Sequence, residues 1–482
     1  VPTVQITPIS SHVDPQALQP GPRIALITPY NGGNLGDAAI QDSMITNLRE
    51  RLPAAHFLGI TLNGENFVKQ HGMDAFPLLA SGLASWKSAK SSPQPSNAVA
   101  DAAEQSAAST TNTANRKGPG NPVRRALRSI PGLVPLVKNV RARIAVYRGE
   151  LAHALAGYRV LRSQDLLLLS GGGQLDEEYG GAWRLPFAYF KWISLARLAR
   201  VPCAIASIGA GSIQLPASRR FISIAIRLCA YRSYRETKSR AILANLFPKA
   251  ANDLVVPDLA FSLPATQLPP PSESIRAMAH GRPVIAVSPI SYAKPGSWPT
   301  PNSALYDRYV QQLAQVLASL SRQGFFLVVV CSSLGDDESV IPDLLGRLDD
   351  ELKSSLDGQI HFPVVKTWRE LVAVLRQSDY LIASRLHGTI LGFVSQTPVV
   401  AISFDPKVDW VMEDVQQTDY LLHFRDFTAD QVIQAVDRIS ATRDGVLARI
   451  ISYRQGVLAA SASARQYDLL AQLALKHQQS RN

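Results

Sequence analysis

Long hydrophobic runs are missing from this sequence of 482 residues: stretches such as LLLL at 166–169 and FFLVVV at 325–330 have the length of buried strands. They fall well short of the roughly 18 apolar residues that a membrane helix needs, so a chain that crosses a bilayer is not expected. Cysteine is scarce too. Cys203, Cys229 and Cys331 show no short metal-ligand spacing, and two of them sit in apolar segments, as reduced core thiols of a cytoplasmic protein do. The N-terminus, VPTVQITPISSHVDP, lacks a basic region followed by an apolar one, so no secretory signal is read there and residues 1–21 are a ragged leader. Charged residues amount to only 18% against 46% hydrophobic, a globular balance that excludes wholesale disorder. The length exceeds the usual limit of one core, and two domains of about 200 residues follow as the expectation.

Acidic residues are almost absent from one segment. Between Pro122 and Gln164 there are nine Lys/Arg against the single acid Glu150, a net +8 out of +11 for the whole chain. Basic character is thus local, which excludes a nucleic-acid-binding face spread over a domain.

What is present is an α/β rhythm. RIALITPY (23–30), the turn-rich NGGNLGD, a helical pattern and HFLGITLN (56–63) form an opening βαβ unit of a parallel sheet. Over 85–121 Ser, Ala, Thr, Asn, Pro and Gln dominate and large aliphatics almost vanish, which reads as a flexible insertion. The basic segment 122–164 mixes Arg with Leu, Val and Ile at roughly helical spacing, broken by Pro131 and Pro135. Strands DLLLLSGGG (165–173), VPCAIASIGAG (201–211) and DLVVPDLAF (253–261) alternate with helices, including one over SYRETKSRAIL, and complete a first domain at 22–265. The proline-rich TQLPPPSES (266–274) marks the boundary. A second α/β series occupies 275–440, with strands RPVIAVSPI, FFLVVVCSS, YLIAS and PVVAISF, and a helical tail fills 441–482. The expected fold is α/β, two Rossmann-like domains facing a cleft.

Three glycine-rich strand ends, at 32–37, 170–181 and 207–212, line one edge of the first sheet. Asn34, Gly36 and Asp37 in the first, and Gly172 and Gly173 in the second, allow close approach of a ligand beside a helix N-terminus. The same residues also suit a tight turn in which Asp37 caps a helix. SRLHGTILG (384–392) differs in kind. Arg385 and His387, two apart on an extended strand end, would face one side, with the N–H groups near Gly388 beneath a bound anion. Arg offers a planar fork and His a proton near neutral pH. Asp405 and Lys407 of FDPKV repeat that spacing and would sit beside them if the two strands are neighbours. Arg235 of YRETKS is a second anion ligand or a solvated helix start. No metal-ligand cluster is visible.

Together GNLGDAAIQ (33–41), LLLLSGGGQLDE (166–177), IASIGAGSI (205–213), YRETKSRAIL (234–243), VVPDLAFSL (255–263) and SRLHGTILGFVSQTPVVAISFDPKV (384–408) resemble the polysaccharide pyruvyl transferase family. The last block is the most specific. The resemblance implies a two-domain enzyme of GT-B type that moves the enolpyruvyl carbons of phosphoenolpyruvate onto two hydroxyls of a saccharide, with no further cofactor. It implies His387 as general acid, Arg385 and Arg235 as ligands of the donor's phosphate and carboxylate with Gly388, Asp405 and Lys407 beside them, and the glycine loops and Asp37 for the acceptor. The 85–164 region departs from the family. Its +8 segment reads either as a landing site for anionic lipid or a lipid-diphosphate-linked saccharide at the inner face of the cytoplasmic membrane, or as a solvated helical hairpin. Two other functions stay open: a sugar-nucleotide glycosyltransferase of the same fold, and a non-catalytic assembly factor at a membrane surface.

Overall fold

The computed structural model describes residues 21–29, 32–83, 133–178, 180–271, 273–348 and 358–481. The expected leader and the insertion over 85–121 lie outside the described residues, as does the start of the basic segment. The chain divides into two compact units, one spanning Leu79–Arg159 and the other the remainder.

The larger unit holds two parallel sheets. The first contains β1 (Arg23–Ile27), β2 (His56–Thr61), β3 (Ala75–Pro77), β4 (Leu166–Ser170), β5 (Cys203–Ile208), β6 (Tyr231–Tyr234) and β7 (Leu254–Val255) in the order β3-β2-β1-β4-β5-β6-β7. The second contains β8 (Val284–Ser288), β9 (Phe326–Val329), β10 (Ile360–His361), β11 (Tyr380–Ala383), β12 (Val399–Ser403) and β13 (Leu421–His423) in the order β10-β9-β8-β11-β12-β13. Helices cover both faces of such sheets, which is why strands such as LLLLS, CAIASI and VVAIS are buried at every residue rather than alternating. Each sheet reverses winding direction once, between β1 and β4 and between β8 and β11. At such a point the crossovers diverge and leave a crevice at the carboxyl ends of the strands.

The two halves of this unit are joined by backbone. Asn34 bridges Ser333, the Leu35 N–H donates to the Ser332 carbonyl at 3.0 Å, and the Leu334 N–H donates to Gly33 at 2.8 Å. The loop after β1 is therefore locked to the loop after β9. The C-terminal helix Ser461–Arg481 also returns to the first sheet, where Tyr467, Leu470 and Ala474 are buried against helix Leu35–Arg51 and strands β4 and β6. The residues beyond 440 are thus core of the first domain as well as tail.

Several elements differ from the sequence reading. SYRETKSRAIL is not one helix: Tyr231–Tyr234 is a strand and the helix runs Thr237–Ala244. In DLVVPDLAF only Leu254–Val255 is strand, because Asp258 caps a short 3-10 turn at Leu259–Ser262 by accepting the Ala260 N–H. Within the basic segment a single helix spans Leu133–Leu161. Pro135 falls in its first turn, where no intrahelical N–H is lost. That helix exposes Ile144, Tyr147, Leu151 and Leu155, spaced along one face. Among the described residues no helix is long and apolar enough to cross a membrane.

Candidate active site

Both winding reversals of the larger unit open onto one cleft of about 360 Å³. Its walls include Asn34, Asp37, Gly173, Asp176 and Arg235 from the first domain and Arg385, His387, Asp405 and Lys407 from the second. Strands β11 and β12 are neighbours, as the register of the two FDPKV-like pairs requires. The pairs themselves are not on extended strand. Arg385 occupies the N-cap position of helix Leu386–Val394 without a side-chain cap bond, with His387 in the first turn, and Asp405 caps helix Pro406–Asp414 with Lys407 in its first turn. Arg385 keeps extended angles, φ −100° and ψ 145°, so its side chain leaves the helix start toward the cleft rather than along the helix. Asp405 accepts the Lys407 N–H at 2.8 Å, which uses its Oδ1 as a cap.

Each arginine is held by a buried carboxylate. Arg385 forks onto Asp337, donating from Nε and, at 2.9 Å, from Nη2. Asp337 is 0% exposed and also accepts the Ser291 N–H at 3.0 Å. Burial raises its carboxyl above the usual range, and Arg385 pulls it back down. Arg235, 4% exposed, donates to Glu236 at 2.7 Å and to Asp258 at 3.2 Å. Burial alone would weaken its charge; Glu236 and Asp258 reverse that and hold it well above its ordinary value. Its Nη2 has no hydrogen-bond partner among the described residues. His387 Nε2 is in the same state, 4.0 Å from Asp258 Oδ2 and too far to bond it. An unsatisfied guanidinium N–H and an unsatisfied imidazole nitrogen, both buried and flanking one carboxylate, face the same cleft. Buried polar groups are normally paired, so this pair marks a place for a ligand.

Glycines make the approach possible. A Cβ on Gly36 would lie 2.0 Å from His387 Cγ, so the imidazole packs directly on the first turn of helix Leu35–Arg51. A Cβ on Gly209 would lie 2.8 Å from Arg235 Nη2, and one on Gly173 3.5 Å from Lys407 Nζ. Gly172, at φ +76°, turns the loop after β4 past Asp37. Lys407 Nζ sits 4.0 Å from Asp176 and 3.9 Å from Asp405. Asp37 and Asp176 are raised above the carboxylate range, in both cases chiefly by burial; His387 acts against it at Asp37 and Lys407 at Asp176. Opposite them Trp298 and Phe404, with ring centroids 5.8 Å apart, give the cleft an apolar wall.

The structure therefore gathers Asn34, Asp37, Gly173, Arg235, Arg385, His387, Asp405 and Lys407 around one space. Three expected residues do not line it: Gly36, Gly388 and Gly172, which turns the loop beside Gln174. Gly36 lies beneath the His387 ring, and Gly388 packs toward the hydroxyls of Ser288 and Ser332 at the ends of β8 and β9. Asn34 spends its side chain on the Gly36 N–H at 3.1 Å as a helix cap. Sequence reasoning missed Asp258, Asp337 and Asp176. Asp258 and Asp176 stand inside quoted blocks, VVPDLAFSL and SGGGQLDE, directly after strands; Asp337 follows β9 in SLGDDES with no such cue.

A family model for polysaccharide pyruvyl transferase matches residues 34–406. No curated protein matches the chain. Among solved structures, the S. aureus MnaA–UDP co-structure aligns at TM-score 0.53 and 10% identity, over 95% of this chain and 97% of that one. A UDP-N-acetylglucosamine 2-epimerase aligns at 0.53 and 8% identity over 92% and 94%. A putative enzyme of that type from Listeria monocytogenes aligns at 0.51 and 9% identity over 95% and 97%. At these identities the likeness is one of fold, two Rossmann-like domains of GT-B type.

Proposed function

The chain belongs to the polysaccharide pyruvyl transferase family, and we propose that it transfers the enolpyruvyl group of phosphoenolpyruvate to two hydroxyls of a saccharide, forming a cyclic ketal. The observation that carries this reading is the pair of unsatisfied nitrogens, Arg235 Nη2 and His387 Nε2, in one cleft. Phosphoenolpyruvate brings about three negative charges and needs one proton on its methylene carbon. Arg235 and Arg385 take phosphate and carboxylate, with the N–H groups at the start of helix Leu386–Val394 nearby. His387 delivers a proton to C3, which makes C2 electrophilic. A sugar hydroxyl adds to C2, the C2–O bond to phosphate breaks, and a second hydroxyl closes the ketal. Of the two hydroxyl protons, one restores His387 and the other leaves on phosphate. Asp37 and Asp176 face the space left for the hydroxyls and accept hydrogen bonds from them. On this reading the exposed face of helix Leu133–Leu161, with Arg148 beside Tyr147 and Leu151, meets anionic lipid or a lipid-diphosphate carrier.

The test is donor identity. Incubation with phosphoenolpyruvate and a panel of saccharides should release phosphate and give a product with a ketal methyl signal; His387→Ala should lower that rate by about a hundredfold or more. Unchanged turnover in His387→Ala would sink the mechanism, and turnover of a nucleotide sugar instead would sink the donor.

A further inference from the structure

We propose that the outer face of helices Leu185–Leu198 and Pro216–Leu228 docks on an anionic lipid surface, with Trp183 entering the headgroup layer beside the mouth of the cleft. The inference goes beyond the proposed reaction and does not depend on it.

Helix Leu185–Leu198 is apolar nearly all round. Its inner face buries Tyr189, Trp192, Ile193 and Ala196 against the first sheet. Its outer face nevertheless carries Phe187 and Phe190, and Trp183 just before it is 71% exposed. A helix without a polar face is normally covered on both sides. Here the aromatics cover one another instead. Trp183 meets Phe187 at 5.4 Å and Phe221 at 5.2 Å, and Phe190 stacks on Phe221 at 5.2 Å. Leu215, 46% exposed, extends the patch.

Charge selects the occupant. Residues 182–200 and 216–228 contain seven Lys/Arg and no Asp or Glu. Exposed Arg184, Arg219 and Arg220 flank the aromatics, while Lys191 is buried with Nζ 5.5 Å from the Phe187 ring. Exposed aromatics beside three exposed arginines, with Glu177 at the edge already accepting the Gln214 and Leu215 N–H groups, suit a membrane interface, where Trp and Tyr partition and each Lys or Arg gains from anionic headgroups. A second copy of the chain is the poorer fit, because a two-fold contact would bring the same positive face against itself. The location also has a use. Arg184 lines the cleft, and Arg219 lines an adjoining hollow of about 440 Å³ that shares Glu178, Asp405 and Lys407 with it. A protein seated on this face would open its cleft beside the headgroups, where an acceptor carried on a lipid anchor presents its saccharide.

The test is local to Trp183. Full-length protein labelled with 5-fluorotryptophan gives a ¹⁹F resonance for each of its six tryptophans, and Trp183→Phe identifies one of them. That resonance should shift and broaden on adding vesicles of about one-third phosphatidylglycerol in phosphatidylcholine, and much less with phosphatidylcholine alone. The exposed substitutions Arg219→Gln and Arg220→Gln together should weaken vesicle binding by about tenfold. An unchanged Trp183 resonance overturns the proposal, even where the protein sediments with vesicles through another segment. So does an equal response to both vesicle types, or a shift with protein concentration in the absence of lipid, which would place a second copy on the face.

Discussion

Gly36→Ala is the sharpest probe of the cleft, because it adds one methyl where the two domains touch through His387. The new Cβ would lie 2.0 Å from His387 Cγ and 2.2 Å from its Cβ, whereas ordinary contact begins at 3.4 Å. Rotating the ring cannot relieve the second clash, so the start of helix Leu386–Val394 must retreat by about 1.2 Å. Overpacking of this kind costs about 1–3 kcal/mol. A displacement of that size in a catalytic group costs on the order of a hundredfold in rate. Gly36 has no left-handed backbone and stands in the first turn of a helix, so alanine there would otherwise stabilise by up to about 1 kcal/mol. The sign of the effect therefore depends on His387. Urea unfolding of the wild type, Gly36→Ala, His387→Gly and the double variant should show destabilisation by Gly36→Ala in the first background and neutrality or stabilisation in the second, where the opposing Cβ is gone as well as the ring, a coupling of about 2 kcal/mol or more. Equal effects in both backgrounds would refute the packing of imidazole on Gly36, and with it the placement of the general acid.

Two further outcomes follow from buried groups. Asp337→Asn keeps an acceptor for the Ser291 N–H but removes the charge from the Arg385 fork; since the arginine is 19% exposed, the loss should be about 2 kcal/mol rather than that of a fully buried pair, with donor affinity falling about tenfold by titration calorimetry. Burial pushes the Cys203 thiol up to about 12, and Cys229 and Cys331 are likewise raised by burial. All three should resist a thiol reagent at pH 8 in the native protein and react fully in guanidinium, counted by absorbance.

Much of this architecture was legible in the sequence because parallel sheets bury both faces and leave continuous apolar runs. Strands β1, β4, β5, β8, β9, β11 and β12 emerge from that signal alone. Short strands were less legible: DLVVPDLAF was read as a strand over 253–261 but is strand only at Leu254–Val255, while Ile360–His361 is two residues long and Tyr231–Tyr234 carries Arg232 and Ser233, so neither of these has an apolar run to read. The site divides in a similar way. Arg235, Arg385 and His387 were visible as unusual charges at strand ends. Their buried partners Asp258 and Asp337 were not, because the pairing is across about 20 to 50 residues and needs the strand order before it can be seen. The spacing of Arg385 and His387 was read from strand geometry; the structure keeps them together through helix-cap geometry instead.

The charge balance of the cleft leads to a final prediction. Four cations line it, Arg184, Arg235, Arg385 and Lys407, against five carboxylates, Asp37, Asp176, Glu178, Asp336 and Asp405. Asp258 and Asp337 already engage two of those cations from behind. With every carboxylate ionised, a donor of about three negative charges would enter a site that has no net positive charge to receive it. Burial resolves the conflict in part, since it raises Asp37, Asp176 and Glu178 above the ordinary carboxylate range. A raised carboxylate holds its proton at lower pH and releases it as the pH climbs through its folded value, and an incoming anion raises it further. Binding of phosphoenolpyruvate should therefore take up protons from solvent and weaken as the pH rises through the range in which these carboxylates ionise. Calorimetric titration in two buffers of different ionisation enthalpy reads the uptake directly, as a difference in apparent binding heat. Asp37→Asn should reduce that difference while leaving the anion bound, because asparagine cannot ionise. Identical heats in both buffers, with affinity flat across that pH range, would mean that the carboxylates stay charged and that the arginines alone overcome them.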